Sequence, residues 1–329
     1  MNNKHIVYIT DSNYILPTKI SIASMLENCK EEHVCIHIIA IDIHEEQMKS
    51  LLRIGKIHNN IKIIIHNFSN EFLDLGLNHS YVSKAALYKF KIPEIFSDID
   101  TILYIDGDTL LHSNFLSIFD FDISEYYLAA VQDMIQVVDN KWNKRLQHEK
   151  YFNSGVMLLN LKKLREEKIS EKLINYKKND TENSFMDQNA LNVILGNDVL
   201  WISPSFNFLT AYKERFSKDE IRKFYGLTLK EESLFEKPLI LHLSGGEKVW
   251  RDVNSEYYFD WIKFVNQEDY SICLKNYING SRALLQREFE KEKKSLYSQI
   301  TTISEKLEYY KRRTFYGVLS YIFNSLFKR

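Results

Sequence analysis

The stretch VCIHIIAID, residues 34–42, is apolar at nearly every position and rich in β-branched side chains. A surface strand alternates apolar and polar residues, so a run without alternation reads as a strand covered on both faces. Three comparable runs flank it: HIVYIT (5–10), IKIIIHNF (61–68) and TILYID (101–106). Between them lie helical patterns, first through Leu16, Ile20, Ala23 and Leu26, then over 45–54 and 84–96. Strand and helix alternating at this spacing predict an α/β fold, with a mostly parallel sheet and helices on both of its faces. Ligands of such sheets bind beyond the carboxyl ends of the strands. Neither a G-x-G-x-x-G after the first strand nor a G-x-x-x-x-G-K-[ST] is present, so dinucleotide-binding and P-loop readings lose their main support.

Three predicted strand ends carry polar residues: TDSNY after the first, DGD after the fourth, and Gln132-Asp133 after YLAAV. In DGD, Asp106 and Asp108 stand on either side of Gly107, and residues two apart at a strand end project to the same side. Two hard oxygen ligands aimed at one point suit Mg2+ or Mn2+. Three readings follow from the residues. The carboxylates hold a metal against a nucleotide-sugar diphosphate; or they are the nucleophile and general acid of a haloacid-dehalogenase-type phosphatase; or they only cap the turn that follows.

Beyond residue 150 the order becomes mixed. YFNSGVMLLNL reads as a strand, 161–178 and 185–195 as helices, and 199–202 and 238–243 as short strands. A catalytic domain over 1–262 and a helical extension over 263–329 are expected. Leu285, Phe289, Leu296, Ile300, Ile303, Leu307 and Tyr310 follow steps of four and three, with Lys293 the polar exception. Segment 282–312 is thus coiled-coil-like: either an exposed helix or hairpin on its own chain, or a homodimer contact. Residues 311–329 carry five Lys/Arg and no acid on a chain of net charge −1, which leaves the rest acidic. Phe315, Leu319, Ile322 and Leu326 share one face there, widened by Val318, Phe323 and Phe327. Basic ends around an apolar face fit a helix lying in a membrane interface, or one docked on the domain. Nucleic acid is not expected as partner, because the segment is as apolar as it is basic. The N-terminus enters a strand at once, so no signal peptide is expected. No run of about 18 apolar residues predicts a spanning helix. Cys29, Cys35 and Cys273 are odd in number and lack metal-type spacing, which predicts reduced thiols in a cytosolic setting.

Five segments, in order, resemble the motifs of glycosyltransferase family 8. They are ITDSNYILPTKISIASML, SKAALYKFKIPEIFSDIDTILYIDGDTLL, YFNSGVMLLNL, FMDQNALNVIL and LILHLSGGEKVW, and together they span about 5–252. The resemblance implies a GT-A fold and a retaining hexosyltransferase that uses UDP-glucose or UDP-galactose with Mn2+ or Mg2+. It implies that Thr10, Asp11, Asn13 and Tyr14 hold the base and ribose, and that His242 joins Asp106 and Asp108 on the metal. It further implies that Lys89, Gly107, Gly245 and Lys248 serve the diphosphate, and that Asp133 and Asn153 hold the sugars. Asp187 and Gln188 would then lie beside the reacting carbon. An amide is a poor nucleophile, so Gln188 there favours same-face substitution over a double displacement. Lys84 and Lys89 stand where many relatives have Arg, and a Lys cannot make the planar two-pronged contact. The acceptor implied is a glycan or lipid-linked glycan of lipopolysaccharide type, built by a cytoplasmic enzyme peripheral on the inner face of the membrane. The alternatives kept open are the phosphatase and a non-catalytic, membrane-associated sugar-binding scaffold.

Overall fold

The computed structural model describes residues 4–29, 32–55, 60–69, 87–112, 114–139, 150–179, 187–228, 231, 233–245, 248–251 and 255–326. The chain divides into two compact units. One comprises Met1–Val249 with Glu256–Asp269, and the other Trp250–Ser255 with Tyr270–Arg329.

The first unit contains the strands β1 (Lys4–Asp11), β2 (Val34–Ile41), β3 (Ile61–Phe68), β4 (Thr101–Ile105), β5 (Thr109–Leu111), β6 (Leu128–Gln132), β7 (Phe152–Asn160), β8 (Val199–Trp201), β9 (Phe208–Leu209) and β10 (Ile240–His242). Seven of them form one sheet in the order β3-β2-β1-β4-β7-β6-β8. All its pairings are parallel except those of β7, which runs against β4 and β6. The sheet is therefore mixed and mostly parallel, as the apolar runs predict.

Both faces are buried, which is why β2 shows no alternation. Val7, Ile9, Ile39 and Ile41 pack on one side, and Ile6, Tyr8, Ile36 and Ile38 on the other. Each fully buried side chain of this size stabilises the fold by about 1.5–3 kcal/mol relative to exposure. The helix Ile15–Asn28 follows β1 and Glu45–Gly55 follows β2. A second sheet, β5-β10-β9, pairs His242 with Thr109 in antiparallel fashion and with Leu209 in parallel.

The helix expected over 84–96 is broken where it is described. A 3-10 turn, Tyr88–Lys91, passes into the short helix Ile92–Ile95, which carries Pro93 in its first turn; proline tolerates that position because no N–H is needed there. Residues 84–86, Lys84 included, lie outside the described residues. The helix expected over 161–178 is two, Leu161–Glu166 and Ile169–Asn179, separated where Lys168 turns left-handed at φ 53°.

Most of the second unit is one helix, Gln267–Leu326, of 60 residues, whose first turn lies in the other unit. It runs unbroken, which removes the hairpin alternative. Leu285, Phe289, Leu296, Ile300, Ile303 and Leu307 are exposed along it. The side chains of Tyr310, Phe315, Val318, Ile322, Phe323 and Leu326 lie outside the described set, as does Phe327 altogether. No helix among the described residues is long and apolar enough to cross a membrane. Cys29, Cys35 and Cys273 are buried.

Candidate active site

The carboxyl ends of β1, β4 and β6 meet at one edge of the large sheet. Because β7 runs the other way, its first residues, Asn153, Ser154 and Gly155, lie at that edge too. Asp106 follows β4 directly, and its backbone N–H donates to the Gly155 carbonyl at 2.7 Å. Asp108 precedes β5, and its carbonyl accepts from Leu243 N–H at 2.8 Å. The β5–β10 ladder thus carries His242 to the two aspartates across a long sequence interval.

His242 Nε2 stands 3.3 Å from Asp108 Oδ1 and 3.9 Å from Asp106 Oδ2. Its Nδ1 lies 3.0 Å from Asn207 Oδ1. Asn207 Nδ2 donates to Asn153 Oδ1 at 2.9 Å, and Asn153 Nδ2 donates to Asp133 Oδ2 at 3.2 Å. This relay ends on a carboxylate and leaves only an acceptor on Asn207 for the ring, so Nδ1 carries the proton and Nε2 presents its lone pair. A nitrogen lone pair then faces two carboxylates, and one ligand atom from each of the three lies within 4.8 Å of the others. These three ligand atoms could hold a cation between them. Two hard oxygens and one imidazole are a donor set that fits Mn2+ or Mg2+.

Gly155 closes the back of this corner. A Cβ there would stand 2.7 Å from His242 Nδ1 and 2.9 Å from Asp106 Oδ2. Gly107 is required for another reason, since its Cβ would crowd the Thr18 side chain and lie 3.3 Å from Thr18 Cα.

Two lysines bracket the aspartates. Lys248 Nζ binds Asp108 Oδ2 at 2.7 Å. Burial works to raise the Asp108 carboxyl; a His242 ring protonated at Nε2 while no metal ion takes that lone pair, and the Lys248 ammonium, hold it well below the usual carboxylate range. Lys89 is buried between Asp187 Oδ2 at 2.8 Å and Asp106 Oδ1 at 3.3 Å, and it also donates to the Ser154 carbonyl. Burial works to lower Lys89, yet the two carboxylates leave its ammonium above the ordinary value. The Tyr104 hydroxyl donates to Asp106 Oδ1, and its ring lies 4.6 Å from Lys89 Nζ. Burial, reinforced by Asp106, pushes that phenol well up, so it remains a donor.

Gln188 opens the helix Gln188–Leu195 and is fixed at both ends. Its Nε2 donates to Asp133 Oδ2 at 3.3 Å, and its Oε1 accepts from Ser154 N–H at 3.0 Å. Asp187 makes no side-chain capping bond to this helix; its carboxylate takes Ser154 Oγ at 2.9 Å and Lys89 instead. Burial raises the Asp133 carboxyl, against the donors that surround it.

The first-strand residues are arranged as follows. Asp11 Oδ1 accepts from Asn13 N–H at 2.9 Å and Tyr14 N–H at 3.2 Å, folding the turn into the first helix. Thr10 is buried and accepts from Thr18 Oγ1 at 3.1 Å. Asn13 is exposed. Tyr14 is half-buried, its phenol raised by burial and then by the Asp108 charge. Gly245 sits at φ 130°, a left-handed conformation that favours glycine.

Lys89, Asp106, Asp108, Asp133, Asn153, Asp187, Gln188, His242 and Lys248 are therefore linked through direct contacts into one network. Tyr104, Ser154, Gly155 and Asn207 belong to it as well and were missed in the sequence. Tyr104, on β4 two residues before Asp106, projects to the same side and so carried a usable signal. Asn207 carried none.

The model of the family Glycosyl transferase family 8 matches residues 5–254. General stress protein A of Bacillus subtilis (strain 168) is 30% identical over 269 residues, covering 78% of this chain and 90% of that protein. A lipopolysaccharide 1,2-glucosyltransferase of Escherichia coli (strain K12) is 23% identical, covering 83% of this chain and 78% of its own. Among solved structures, the galactosyltransferase LgtC in complex with donor and acceptor sugar analogs superposes with a TM-score of 0.68. It is 22% identical and covers 81% of this chain and 99% of its own. The fold is the GT-A fold that the sequence motifs imply.

Proposed function

The chain belongs to glycosyl transferase family 8, and from that premise we propose that it is a metal-assisted retaining hexosyltransferase. Its donor is UDP-glucose or UDP-galactose, and its acceptor a glycan, lipid-linked or of lipopolysaccharide type. The observation that carries the reading is the convergence of Asp106, Asp108 and the His242 lone pair on one point. Asp106, Asp108 and His242 would hold a divalent cation, which would supply Lewis-acid stabilisation of the departing diphosphate.

The other roles fall to the chain's own groups. Lys248, paired with Asp108, meets the leaving phosphate as a compact positive charge. Gly245 lets backbone approach the diphosphate, and Thr10, Asp11, Asn13 and Tyr14 hold base and ribose. Asp133 and Asn153 hold sugar hydroxyls, and Gln188 places its amide against the reacting carbon. Gln188 is held at both ends, and Asp187 is engaged by Lys89 and Ser154, which supports same-face substitution over attack by an enzyme carboxylate. The leaving phosphate oxygen takes the acceptor proton. The residues over 1–262 form the catalytic domain. The extension over 263–329 brings it to the inner face of the cytoplasmic membrane, with 282–312 as a contact for a second copy.

A donor screen by nucleotide release, with and without Mn2+, tests this. UDP release from one of the two donors is expected, dependent on metal and lowered about 100-fold or more by Asp108→Ala. Release from no nucleotide sugar, with glycan or lipid-linked acceptors present, overturns it. Sugar binding without turnover or metal dependence would then favour the scaffold. The phosphatase reading has little left, because DGD ends the fourth strand here and the family assignment accounts for HLSGGEKVW.

A further inference from the structure

On the face of the large sheet lined by Val7, Ile9, Ile39 and Ile41, three histidines form a diagonal ladder across adjacent parallel strands. His5 is on β1, His37 on β2 and His66 on β3. His5 Nδ1 lies 3.0 Å from His37 Nε2, and His37 Nδ1 lies 3.1 Å from His66 Nε2. Cys35, in register with His5 and two residues before His37, points to the same face. One ligand atom from each of His5, Cys35 and His37 lies within 4.8 Å of the others. The transferase chemistry uses none of these residues.

We propose that His5, Cys35 and His37 form a second metal site, one that takes Zn2+ and fastens β1 to β2. Two imidazoles and a thiolate are a borderline-soft donor set, opposite in preference to the carboxylate-rich corner at the strand ends. Two imidazole nitrogens on one tetrahedral Zn2+ stand roughly 3.3 Å apart, given Zn–N of about 2.0 Å. The His5–His37 pair thus needs to open by only a few tenths of an ångström. The ladder also supplies the partner such a ligand wants. With His37 Nε2 on the metal, its Nδ1–H donates to His66 Nε2, which fixes the tautomer and the ring orientation. Phe96 meets the His37 and His66 rings edge-on, at 4.8 and 5.1 Å between centroids, and walls the site. Water reaching the half-buried His5 would supply the fourth ligand.

Burial lowers all three imidazoles, so their lone pairs are available at neutral pH. Burial also raises the Cys35 thiol, with Lys62 opposing it. The free thiol is therefore protonated, and binding exchanges one S–H proton for one S–Zn bond.

The test uses the full chain carrying Asp106→Asn and Asp108→Asn, so that the carboxylate corner no longer competes. Titration with Co2+ as a spectroscopic substitute should bind one equivalent, with a thiolate-to-cobalt charge-transfer band in the near ultraviolet that Zn2+ displaces. Cys35→Ala or His5→Ala should abolish the band, and His66→Ala should weaken binding about 10–100-fold. Zn K-edge absorption on the same double variant with one equivalent of Zn2+ should show one sulfur and two imidazoles. Absence of the band, its persistence in both Cys35→Ala and His5→Ala, or a sulfur-free shell overturns the proposal.

Discussion

At Gly155 the absence of a side chain decides how close Asp106 and His242 can come. An alanine there would put carbon 2.7 Å from His242 Nδ1 and 2.9 Å from Asp106 Oδ2, so one or both must retreat. Displacement on the order of an ångström at a reacting centre costs about 100-fold in rate, while overpacking costs about 1–3 kcal/mol of stability. Gly155→Ala should therefore fold with a lowered melting temperature and lose about 100-fold in turnover, read by circular dichroism and nucleotide release. Full turnover in a folded variant would show that the corner need not be so tight. Asp133 offers a second handle, through pH. Burial raises its carboxyl in the fold, so the folded state binds that proton more tightly than the unfolded chain. Stability from this group is gained as pH falls through the raised value to the ordinary carboxylate range, and the penalty of the buried charge is full above it. The unfolding free energy of wild type minus that of Asp133→Asn should thus grow as pH falls through that window and be flat above it, measured by urea titration. A flat difference throughout would mean that Asp133 titrates as an ordinary carboxylate. The aspartates were legible because they stand at a predicted strand end, and His242 only through the family resemblance. Asn207 was not, because only the β9–β10 pairing brings it to Nδ1 of His242.

At the scale of elements, the strands were the easiest part to read. Their apolar runs are dictated by burial on both faces, and IKIIIHNF coincides with β3 to the residue. Helices were legible as regions but not as units. Nothing in the apolar spacing of 161–178 distinguishes one helix from two; the break is set by Lys168, whose left-handed backbone lets its N–H close on the Arg165 carbonyl at 3.0 Å. Arg165 in turn donates to the carbonyls of Phe96 and Ile99, satisfying the loop that leads into β4. The first of the two short helices is thereby tied to the strand that delivers Asp106. Sequence spacing was equally silent on β5 and β9, strands of three and two residues, whereas β10 falls inside the short strand expected over 238–243. They form the sheet that joins Asp108 to His242. The corner of Asp106, Asp108 and His242 is thus built in part by strands that apolar spacing did not reveal.

At the scale of the molecule, the long helix presents a problem that the catalytic unit does not. Leu285, Phe289, Leu296, Ile300, Ile303 and Leu307 lie along Gln267–Leu326 with half or more of their surface in solvent. A helix gains most of its stability from burying an apolar face, so one that leaves such a stripe open is marginal by itself. Covering it by a second copy would stabilise 282–312, whereas in the proposed membrane role the basic residues of 311–329 would meet an anionic surface. The two can be separated because they lie on different stretches of the helix. Near an anionic bilayer each Lys or Arg contributes about 1 kcal/mol, an attraction that salt screens, and apolar side chains entering the interface add a salt-resistant part. Full-length protein should sediment with vesicles containing anionic lipid and less well with neutral ones. A chain ending at residue 310 should remain in the supernatant while keeping its UDP release towards a soluble acceptor. Equal sedimentation of the two chains would take the membrane role away from 311–329. Release lost on truncation would mean that this stretch serves catalysis itself, and the boundary of the catalytic domain would have to move.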